Sequence, residues 1–274
     1  MTPASAGQLR SARRLLRRKE RLARDEFLAE GPQAVREALA ADRPPRTVLV
    51  TRRAAERHTD LVDAVRRAGL DPSLITEDQL GAVTDSTTPQ GIVAICPTLD
   101  VGLETALAGR PRLIVCCAEI RDPGNAGTVI RCADAAGADA VILGSASVDL
   151  YNPKTVRAST GSIFHLPVVT NAELEVALDR CRQQGLQVLA AAGGGAYGLD
   201  ELLRSGDLAA PTVWLMGNEA RGLHPDQLEL ADRVVSVPIY GAAESLNLST
   251  AAAVCLYASA FAQRSGEEPG PAEQ

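Results

Sequence analysis

The sequence predicts an α/β protein whose larger part is built around a parallel sheet. Apolar runs typical of strands alternate with segments of helical periodicity, which is the pattern of α/β folds. After Pro111 these runs lengthen and become almost continuously apolar, as expected for parallel strands that are buried on both faces. The strands predicted there are residues 112–118, 140–144, 187–192, 212–217 and 233–239.

The chain is long enough for two domains, with 274 residues of which 46% are hydrophobic. Shorter strands, separated by helical segments, predict a smaller N-terminal α/β domain and lie at residues 27–28, 47–50, 73–76 and 91–96. A stretch of low β-propensity that starts at Pro97 is expected to connect the two domains. The expected limits are an N-terminal domain at 1–98, a linker at 99–110, a C-terminal domain at 111–264 and a disordered tail rich in Gly, Pro and Glu at 265–274.

Neither a membrane span nor a secretory signal is expected. No run of about eighteen apolar residues occurs, and the Arg-rich N-terminus is not followed by an apolar core. This composition favours a cytoplasmic protein. The six cysteines form no C-x-x-C pair and have no His at ligand spacing, which predicts reduced core residues with neither disulfides nor a metal site. Cys117, next to Cys116 in an apolar strand, is expected to be an inert thiol.

Charge divides unevenly along the chain, although the net charge is only −6. Residues 1–98 carry a net charge of +3 and the remainder −9. Between Leu9 and Arg24, eight basic residues and one acid are spaced as in a single helix with a leucine stripe and basic remaining faces. Such a helix either neutralises RNA phosphates or is a solvated, partly frayed terminus, and the segment alone favours neither.

A polar segment with Asn125 and Arg131 follows the first long strand. A helix that begins near Asn125 would pack Val129, Ile130 and Ala133 inward, whereas the direction of Arg131 is not dictated by the sequence. The alternative to a functional role is that Asn125 caps the helix and Arg131 is a surface ion-pair donor.

Glu219 follows directly on another apolar strand, between two glycines. A carboxylate buried there would need a partner, for which Arg131 or Arg221 is available. The alternative is a solvent-exposed glutamate in a turn. A glycine-rich stretch at 193–198 permits close approach of a ligand to the backbone, but it lacks the G-x-G-x-x-G spacing and the acidic residue of a dinucleotide site.

Ser245 and Asn247 stand where a small-residue loop enters an Ala-rich helix near the end of the chain. The positive end of a helix holds anions and polar ligands through hydroxyl, amide and backbone N–H groups. The alternative is that one of these two residues simply caps the helix.

Three of these segments together resemble the motifs of the SpoU branch of the SPOUT RNA methyltransferases. They occur in the family's order and at fitting separations: NAGTVIR at 125–131, LMGNEARGL at 215–223 and VPIYGAAESLNLSTAAAVCLY at 237–257. The segment VRASTGSIFHLPV at 156–168 matches the family's Arg-x-Ser-x-Gly-x-x-Phe pattern, so that the resemblance covers residues 111–263. The segments RRKERLARDEFLAEGPQAVREAL and TPQGIVAI look like the ribosomal-protein-L30-like substrate-binding domain of many ribosomal-RNA members.

The resemblance implies a ribose 2′-O-methyltransferase that uses S-adenosylmethionine, has a deep trefoil knot in its C-terminal domain, and works as a homodimer. Composition could not have indicated the knot, because knots are essentially absent from most folds. The implied catalytic residues are Asn125, Arg131, Glu219, Ser245 and Asn247. The implied cofactor-binding residues are Ala192, Gly217, Asn218, Val237, Ile239 and Leu246. RNA contacts are expected from Arg13, Arg14, Arg17, Arg18 and Arg21 of the basic segment and from Arg157.

The reaction itself constrains the role of Arg131. Methyl transfer from a sulfonium to a ribose hydroxyl is an in-line displacement, so alignment of the reacting atoms lowers the barrier substantially. A ribose hydroxyl is a poor nucleophile, so its proton must be accepted or its developing charge stabilised. Because arginine normally stays protonated, Arg131 is expected to stabilise charge or anchor a phosphate. His165 and His224 match no catalytic position of the family and are expected to be structural.

The expected substrate is 23S ribosomal RNA, because the extra N-terminal domain is typical of ribosomal-RNA members. The nearest alternative is a transfer-RNA 2′-O-methyltransferase. A catalytically silent RNA-binding protein that acts in ribosome assembly is the alternative from another class, and the complete set of five implied catalytic residues argues against it. A nicotinamide-dependent oxidoreductase is a distant third.

Overall fold

The computed structural model describes residues 1–265, which form two compact units. The first unit comprises Met1–Val101, Arg121–Arg131 and Val148–Val168; the second comprises Gly102–Ile120, Cys132–Ser147 and the described chain from Val169 onward. These units are defined by contacts in space, so the predicted chain limits of the domains and linker stay predictions. Of the tail expected to be disordered, all but Ser265 lies outside the described residues.

The strands of the described chain form two sheets. The strands of the first sheet are β1 Glu26–Glu30, β2 Thr47–Thr51, β3 Ser73–Ile75 and β4 Ile92–Pro97. Those of the second are β5 Leu113–Cys117, β6 Ala140–Gly144, β7 Val168–Ala172, β8 Gln187–Ala191, β9 Tyr197–Gly198, β10 Thr212–Met216 and β11 Arg233–Ser236.

Helices separate most of these strands. Those of the N-terminal part are α1 Ala6–Arg14, α2 Arg18–Arg24, α3 Pro32–Ala40, α4 Arg52–Arg57, α5 Thr59–Arg67 and α6 Glu77–Val83. The following helices are α7 Leu103–Ala106, α8 Pro123–Ala135, α9 Pro153–Ser159, α10 Leu174–Gln183, α11 Leu199–Ser205, α12 Pro225–Leu228 and α13 Leu248–Gln263. Short 3₁₀ turns lie at Ser162–Phe164 and Asp207–Ala209.

The first sheet is mixed, with the strand order β1-β4-β2-β3. Both β1 and β2 pair with β4 in antiparallel fashion, while β2 and β3 are parallel. The beginning of the chain continues this sheet, because the backbone N–H of Ala4 donates to the Leu74 carbonyl at 2.8 Å. All four strands predicted in this region are present, within a few residues of the predicted limits.

The basic segment near the N-terminus is packed against the first sheet, so it is not a frayed terminus. Ala12 and Leu15 are fully buried in a core cluster with residues of β1, β2, β4 and α6. The prediction of one continuous helix was wrong, since Arg17 has an extended backbone and divides the segment into α1 and α2. The guanidinium of Arg21 donates to the Leu15 carbonyl at 2.8 Å across this break and stabilises the turn.

The second sheet has the order β7-β6-β5-β10-β8-β11-β9. In this order, every neighbouring pair between β6 and the edge strand β9 is parallel. Every residue of β5, β6 and β10 is buried, as their continuous apolar sequences predicted. The two strands that the sequence did not predict are β7 and β9, which lie at the two edges. In β7 only Val168 and Val169 are buried and Asn171 is exposed, and β9 has only two residues, so neither carries the apolar run of a central strand.

All six cysteines are free thiols, and five of them are buried. Burial raises the pKa of Cys117 to about 12, which keeps this thiol protonated and inert, as expected from its place in an apolar strand. Within residues 1–265, no helix combines the length and the apolar character needed to span a bilayer.

Candidate functional site

The carboxyl ends of three neighbouring strands lie side by side in the second unit. In the parallel register Met216 of β10 stands opposite Ala191 of β8, and Ala191 stands opposite Val235 of β11. The loops that leave these strands therefore start from one edge of the sheet, which is where open α/β sheets bind ligands. These loops contain the six residues predicted to bind a cofactor: Ala192, Gly217, Asn218, Val237, Ile239 and Leu246.

The loop after β10 is a tight turn that requires a glycine at its start. A Cβ atom on Gly217 would lie only 2.2 Å from the carbonyl carbon of Gly222 and 2.4 Å from the nitrogen of Leu223. Asn218 closes the turn, because its backbone N–H donates to the Gly222 carbonyl at 2.8 Å and its side-chain oxygen accepts from the N–H of Ala220 at 3.0 Å. The backbone of this loop is therefore held in one conformation at the sheet edge.

Glu219 lies on the outside of this turn and is exposed. Its carboxylate accepts a hydrogen bond from the Asn218 side chain at 3.4 Å. Arg221, one of the two partners expected for it, instead donates to the carboxylate of Glu119 at 3.2 Å. The prediction rested on the cost of burying a carboxylate, and that cost does not arise for an exposed side chain.

Glu119 was not singled out from the sequence, although it directly follows the strand predicted at 112–118. Besides its ion pair with Arg221, it accepts a hydrogen bond from the Asn218 amide to its backbone carbonyl at 3.1 Å. The loop after β5 is thereby joined to the loop after β10. A charged residue immediately after a buried strand was the available signal, and the same signal had drawn attention to Glu219.

Asn247 caps the last long helix. Its side-chain oxygen accepts from the Ser249 backbone N–H at 2.9 Å and from the Ser249 hydroxyl at 2.7 Å, and α13 begins at the next residue, Leu248. The helix is fixed on the sheet by a buried hydrogen bond of 2.9 Å from the Trp214 indole to the Ser259 hydroxyl. Of the two capping residues that the sequence offered, the structure uses Asn247.

The loop that leads into α13 presents apolar side chains to solvent. Ile239 is 38% exposed and Leu246 is 36% exposed, and Ser245 between them is exposed as well. Large apolar side chains on an accessible loop provide contact area for an apolar ligand surface. The glycine-rich stretch nearby has a different use, because a Cβ on Gly195 would lie 2.6 Å from the Val234 carbonyl oxygen, so β11 occupies the space that the missing side chain leaves.

Asn125 and Arg131 lie on α8, in the part that belongs to the first unit. As predicted, Val129, Ile130 and Ala133 are fully buried, and the structure resolves the open question about Arg131, which is exposed. Of the five implied catalytic residues, Asn125 and Arg131 belong to the first unit, and Glu219, Ser245 and Asn247 belong to the second.

The capping role considered for Asn125 was wrong, because α8 begins two residues earlier at Pro123. The carboxylate of Asp122 accepts from the Asn125 backbone N–H at 2.8 Å and pairs with Lys154 at 3.0 Å. These two interactions hold the pKa of Asp122 below its usual range. The side-chain amide of Asn125 is therefore not needed to start the helix.

Gly127 allows α8 to pack closely on α9. A Cβ at this position would lie 2.3 Å from the Thr155 carbonyl oxygen and 2.6 Å from the Ala158 Cβ. The glycine in the first motif is thus explained by contact between two helices, and that contact fixes the segment that carries Asn125 and Arg131.

Four of the arginines expected to contact RNA are exposed on α1 and α2 or in the turn between them: Arg13, Arg14, Arg17 and Arg18. Arg21 differs, since only 4% of it is exposed and its guanidinium donates to Asp149 and to the Leu15 carbonyl. Its place in the expected RNA surface is therefore withdrawn. A helical pattern of basic residues cannot show that one of them is paired with a carboxylate far along the chain.

Arg157 lies between two carboxylates of the first unit, Glu30 at 3.2 Å and Asp85 at 2.8 Å. Burial raises the pKa of the Glu30 carboxyl, and the positive charge of Arg157 opposes that rise. The guanidinium of Arg157 is thus engaged by two carboxylates of the same unit, so fewer of its N–H donors can contact RNA than the sequence suggested. His165, expected to be structural, pairs with Glu37 at 3.1 Å.

The fold and these loops define an α/β protein with a candidate ligand site at the carboxyl edge of a parallel sheet. Two family models match the chain: the SpoU rRNA Methylase family over residues 112–257 and the MRM3-like substrate binding domain over residues 7–94. The chain belongs to the SpoU rRNA methylase family. The resemblance seen in the three motifs is confirmed.

Curated relatives extend over nearly the whole chain. The 23S rRNA (guanosine(2553)-2′-O)-methyltransferase RlmP of Bacillus subtilis is 36% identical over 245 residues, which are 89% of this chain and 92% of the relative. The 23S rRNA (uridine(2479)-2′-O)-methyltransferase of Streptomyces viridochromogenes is 32% identical over 246 residues, which are 88% and 84% of the two chains.

A solved structure agrees with the fold over almost the same extent. The SpoU methyltransferase AviRb from Streptomyces viridochromogenes, in complex with the cofactor AdoMet, superimposes with a TM-score of 0.81 at 30% identity. The match covers 96% of this chain and 100% of that chain. The predicted fold class, an α/β protein with a large parallel sheet and a smaller N-terminal α/β part, is confirmed.

Proposed function

We propose that this protein transfers a methyl group from S-adenosylmethionine to a ribose 2′-hydroxyl of 23S ribosomal RNA. The observation that carries the proposal is what the two curated relatives have in common. One acts on a guanosine and the other on a uridine, yet both are named for the 2′-oxygen of 23S rRNA, and both match more than four-fifths of this chain. The acceptor atom is thus shared where the base differs.

The second unit offers a surface that fits the cofactor. When bound, S-adenosylmethionine supplies a methyl group attached to a positively charged sulfur. The turn that begins at Gly217 holds its backbone in one conformation at the sheet edge, and the exposed Ile239 and Leu246 provide apolar contact area for a purine. We propose that these residues hold the cofactor together with Ala192, Asn218 and Val237.

Arg131 is proposed to stabilise the negative charge that develops on the ribose oxygen, or to anchor the adjacent phosphate. Its guanidinium is exposed, and within residues 1–265 no hydrogen bond or ion pair engages it. A guanidinium with five N–H donors suits an oxyanion or a phosphate and does not readily accept a proton. We assign it the role of an electrostatic stabiliser.

The other four residues of the implied catalytic set are proposed to orient the reactants. Asn125 and Ser245 are proposed to bind polar groups of the target nucleotide. Asn247, as the cap of α13, fixes the start of that helix and the loop before it. Glu219 is proposed to hold the outer part of the turn after β10, through its contact with Asn218.

A transfer assay with a chemical signature tests the function. The protein is incubated with transcribed 23S rRNA, or with transfer RNA, and with cofactor labelled in the methyl group. A 2′-O-methyl group removes the hydroxyl that attacks the neighbouring phosphate, so a modified linkage resists alkaline hydrolysis. We expect label in 23S rRNA and one alkali-resistant linkage, located by primer extension.

The other outcomes separate the alternatives. Label in transfer RNA alone would replace the proposed substrate. If the labelled RNA were cleaved by alkali at the labelled nucleotide, the methyl group would be on a base, and the ribose would not be the acceptor. Binding of both cofactor and RNA without transfer would contradict the methyltransferase and favour the catalytically silent RNA-binding protein.

We also infer a homodimer, a deep trefoil knot in the second sheet's unit, and a cytoplasmic location. The dimer is supported by three exposed apolar side chains that share one face of α13, namely Val254, Tyr257 and Phe261, of which Phe261 is 65% exposed. The knot rests on the family resemblance, and the location on an rRNA substrate. A monomer mass by light scattering at assay concentrations would contradict the dimer.

A further inference from the structure

The proposed reaction leaves the base of the target nucleotide without an assigned contact. Every nucleotide of an RNA carries a 2′-hydroxyl, so groups that act on the ribose do not by themselves hold the base. Proteins hold the unpaired bases of RNA largely by stacking them on aromatic side chains, because every base has a flat π face. An exposed ring on the loops of the candidate site is therefore the feature that would supply this contact.

Aromatic residues are rare in this chain, which has one Trp, four Tyr and three Phe, and most of them are used for packing. The rings of Phe27, Tyr151 and Phe164 pack together, those of Tyr257 and Phe261 meet on α13, Trp214 is buried, and the Arg233 guanidinium lies 5.4 Å from the centre of the Tyr197 ring. Within residues 1–265, the side chain of Tyr240 makes neither a ring contact nor a hydrogen bond, and 90% of this residue is exposed. Both faces of its ring are therefore open to solvent.

Tyr240 lies on the loop that runs from β11 to α13 in the second unit, and it follows Ile239 directly. The loop is anchored at both ends, because the Ala192 N–H donates to the Val235 carbonyl at 3.0 Å and Asn247 caps α13. The ring is thus carried by the same loop whose residues are proposed to hold the cofactor and to bind the target nucleotide.

The ring stands outside the surface proposed for the cofactor. Ile239 and Leu246 are partly covered by their surroundings, as expected for side chains that line a concave ligand site, whereas Tyr240 is almost uncovered. A Cβ atom on the next residue, Gly241, would meet no atom within 4 Å beyond its chain neighbours, so the tip of the loop stands clear of the rest of the described chain. A ring in this position is accessible to a base that approaches from solution.

We propose that the ring of Tyr240 stacks on the base of the target nucleotide while the ribose of that nucleotide is methylated. Stacking tolerates all four bases, so this contact holds the base and does not select it. The inference rests on the proposed function and deepens it, since it assigns a contact to the base whose ribose receives the methyl group. A base is a better occupant than a second copy of the chain, because the apolar face that supports the proposed dimer lies on α13 and not on this loop.

Variants of Tyr240 in the full chain test whether an aromatic ring is needed. Tyr240→Ala should lower kcat/KM for 23S rRNA by roughly 10-fold or more, which is the loss expected when one stacked base loses its ring. Tyr240→Phe should keep most of the activity, whereas Tyr240→Leu, which keeps apolar area without a π face, should resemble the Ala variant. All three should melt at the wild-type temperature, because Tyr240 is exposed. Tyr197→Ala removes a ring from the edge strand β9 of the same unit and should keep the wild-type kcat/KM.

An RNA that lacks the base separates stacking from an indirect effect. The target nucleotide, once mapped by primer extension, is replaced in a fragment of 23S rRNA by a ribose without a base, which keeps the 2′-hydroxyl. If the ring and the base are in contact, Tyr240→Ala should lose little further activity on this RNA, because the partner of the ring is already absent. An equal loss on the complete and the abasic RNA would overturn the stacking, as would an unchanged kcat/KM of Tyr240→Ala on the complete RNA.

Two measurements identify the other occupants of this position. Weaker cofactor binding by Tyr240→Ala in calorimetry would place the ring on the cofactor, and a lower mass of this variant in light scattering would place it between two copies of the chain. Either result would overturn the proposal.

The outcomes also separate this inference from the proposed function. A wild-type protein that methylates 23S rRNA, with equal losses for Tyr240→Ala on the two RNAs, would remove the stacking and leave the function. A wild-type protein that labels no RNA would remove the function, and the stacking with it, because there would then be no target nucleotide.

Discussion

Arg131 is the residue on which the chemistry depends most. Its guanidinium is exposed, and α8, which carries it, is held against α9 by the close contact at Gly127. A donor placed in this way stabilises charge only if its position is maintained while the ribose oxygen becomes negative. We therefore expect Arg131 to act as a fixed cation. Its variants should then behave differently from variants of a proton acceptor.

Replacing Arg131 by Ala should reduce kcat by roughly 100-fold or more, which is the loss seen when one stabilising donor is removed. Arg131→Lys should recover part of the rate, because the charge returns without the forked donors. Cofactor affinity, measured by calorimetry, should be unchanged in both variants. Arg180→Ala, on the outer side of α10, is the control and should be fully active. A normal kcat in Arg131→Ala would show that the role is misassigned.

Glu30 makes a prediction about pH. Burial raises the pKa of its carboxyl above the ordinary value of 4.5. A group whose pKa is higher in the folded state contributes stability below its unfolded pKa and loses that contribution as the pH rises through the folded value. The free energy of unfolding of Glu30→Gln relative to wild type should therefore increase as the pH rises above about 4.5.

Asp60 provides a control of opposite sign. Its hydrogen bond with Arg36 lowers the pKa of the Asp60 carboxyl, so its contribution is present above the unfolded pKa and is lost as the pH falls. In urea unfolding, the difference between Asp60→Asn and wild type should therefore change only below about pH 4, whereas the difference for Glu30→Gln should change in the opposite sense between about pH 4.5 and pH 8. A difference for Glu30→Gln that stays flat over this range would contradict the effect of burial.

At the scale of elements, Asn247 stabilises the first turn of α13 and is also proposed to help orient the reactants. Asn247→Ala removes the acceptor for two hydrogen bonds from Ser249 and should lower the free energy of unfolding by about 1 kcal/mol. Asn247→Ser retains a capping oxygen and should cost much less. If Asn247 also orients the reactants, the Ser variant will be nearly as stable as wild type and still slow in transfer. Full activity in the Ser variant would limit Asn247 to capping.

The central elements could be predicted from the sequence because their signals are local. Buried parallel strands are continuous apolar runs, and the inward face of α8 follows from helical spacing, so Val129, Ile130 and Ala133 were placed correctly. The edge strands β7 and β9 lack such runs. The three motifs identified the family because their order and separations are specific even where each motif alone is weak.

The parts that could not be predicted depend on partners distant in sequence. Arg21 belongs to a basic helical pattern, yet it is buried against Asp149, which lies 128 positions further along the chain. Arg21 also binds the Leu15 carbonyl across the break between α1 and α2, a contact that the helical pattern did not indicate. Likewise, Arg221 was available to Glu219 by proximity in sequence, but it pairs with Glu119, 102 positions earlier.

At the scale of the whole molecule, the N-terminal sheet shares its core with later parts of the chain. In the first unit the ring of Phe27 lies 4.6 Å from that of Tyr151 and 5.9 Å from that of Phe164, measured between centroids. The buried ion pair of Arg21 with Asp149 belongs to the same unit. Residues 148–168 are thus part of the fold that residues 1–98 begin, although the sequence places them in the C-terminal domain.

Removing residues 1–98 should therefore destabilise the remaining chain, and not merely abolish RNA binding. The truncated protein would expose Tyr151 and Phe164, and we expect a lower melting temperature and binding of a hydrophobic dye. Phe27→Ala in the full chain isolates the packing effect and should cost about 3–5 kcal/mol, because its side chain is fully buried. By contrast, Arg13→Ala/Arg14→Ala/Arg17→Ala/Arg18→Ala alters only exposed side chains and should keep the melting temperature while weakening RNA binding. A truncated chain as stable as the full one would contradict this prediction and mean that the shared core contributes little to stability. The truncation alone would then be enough to separate RNA binding from catalysis.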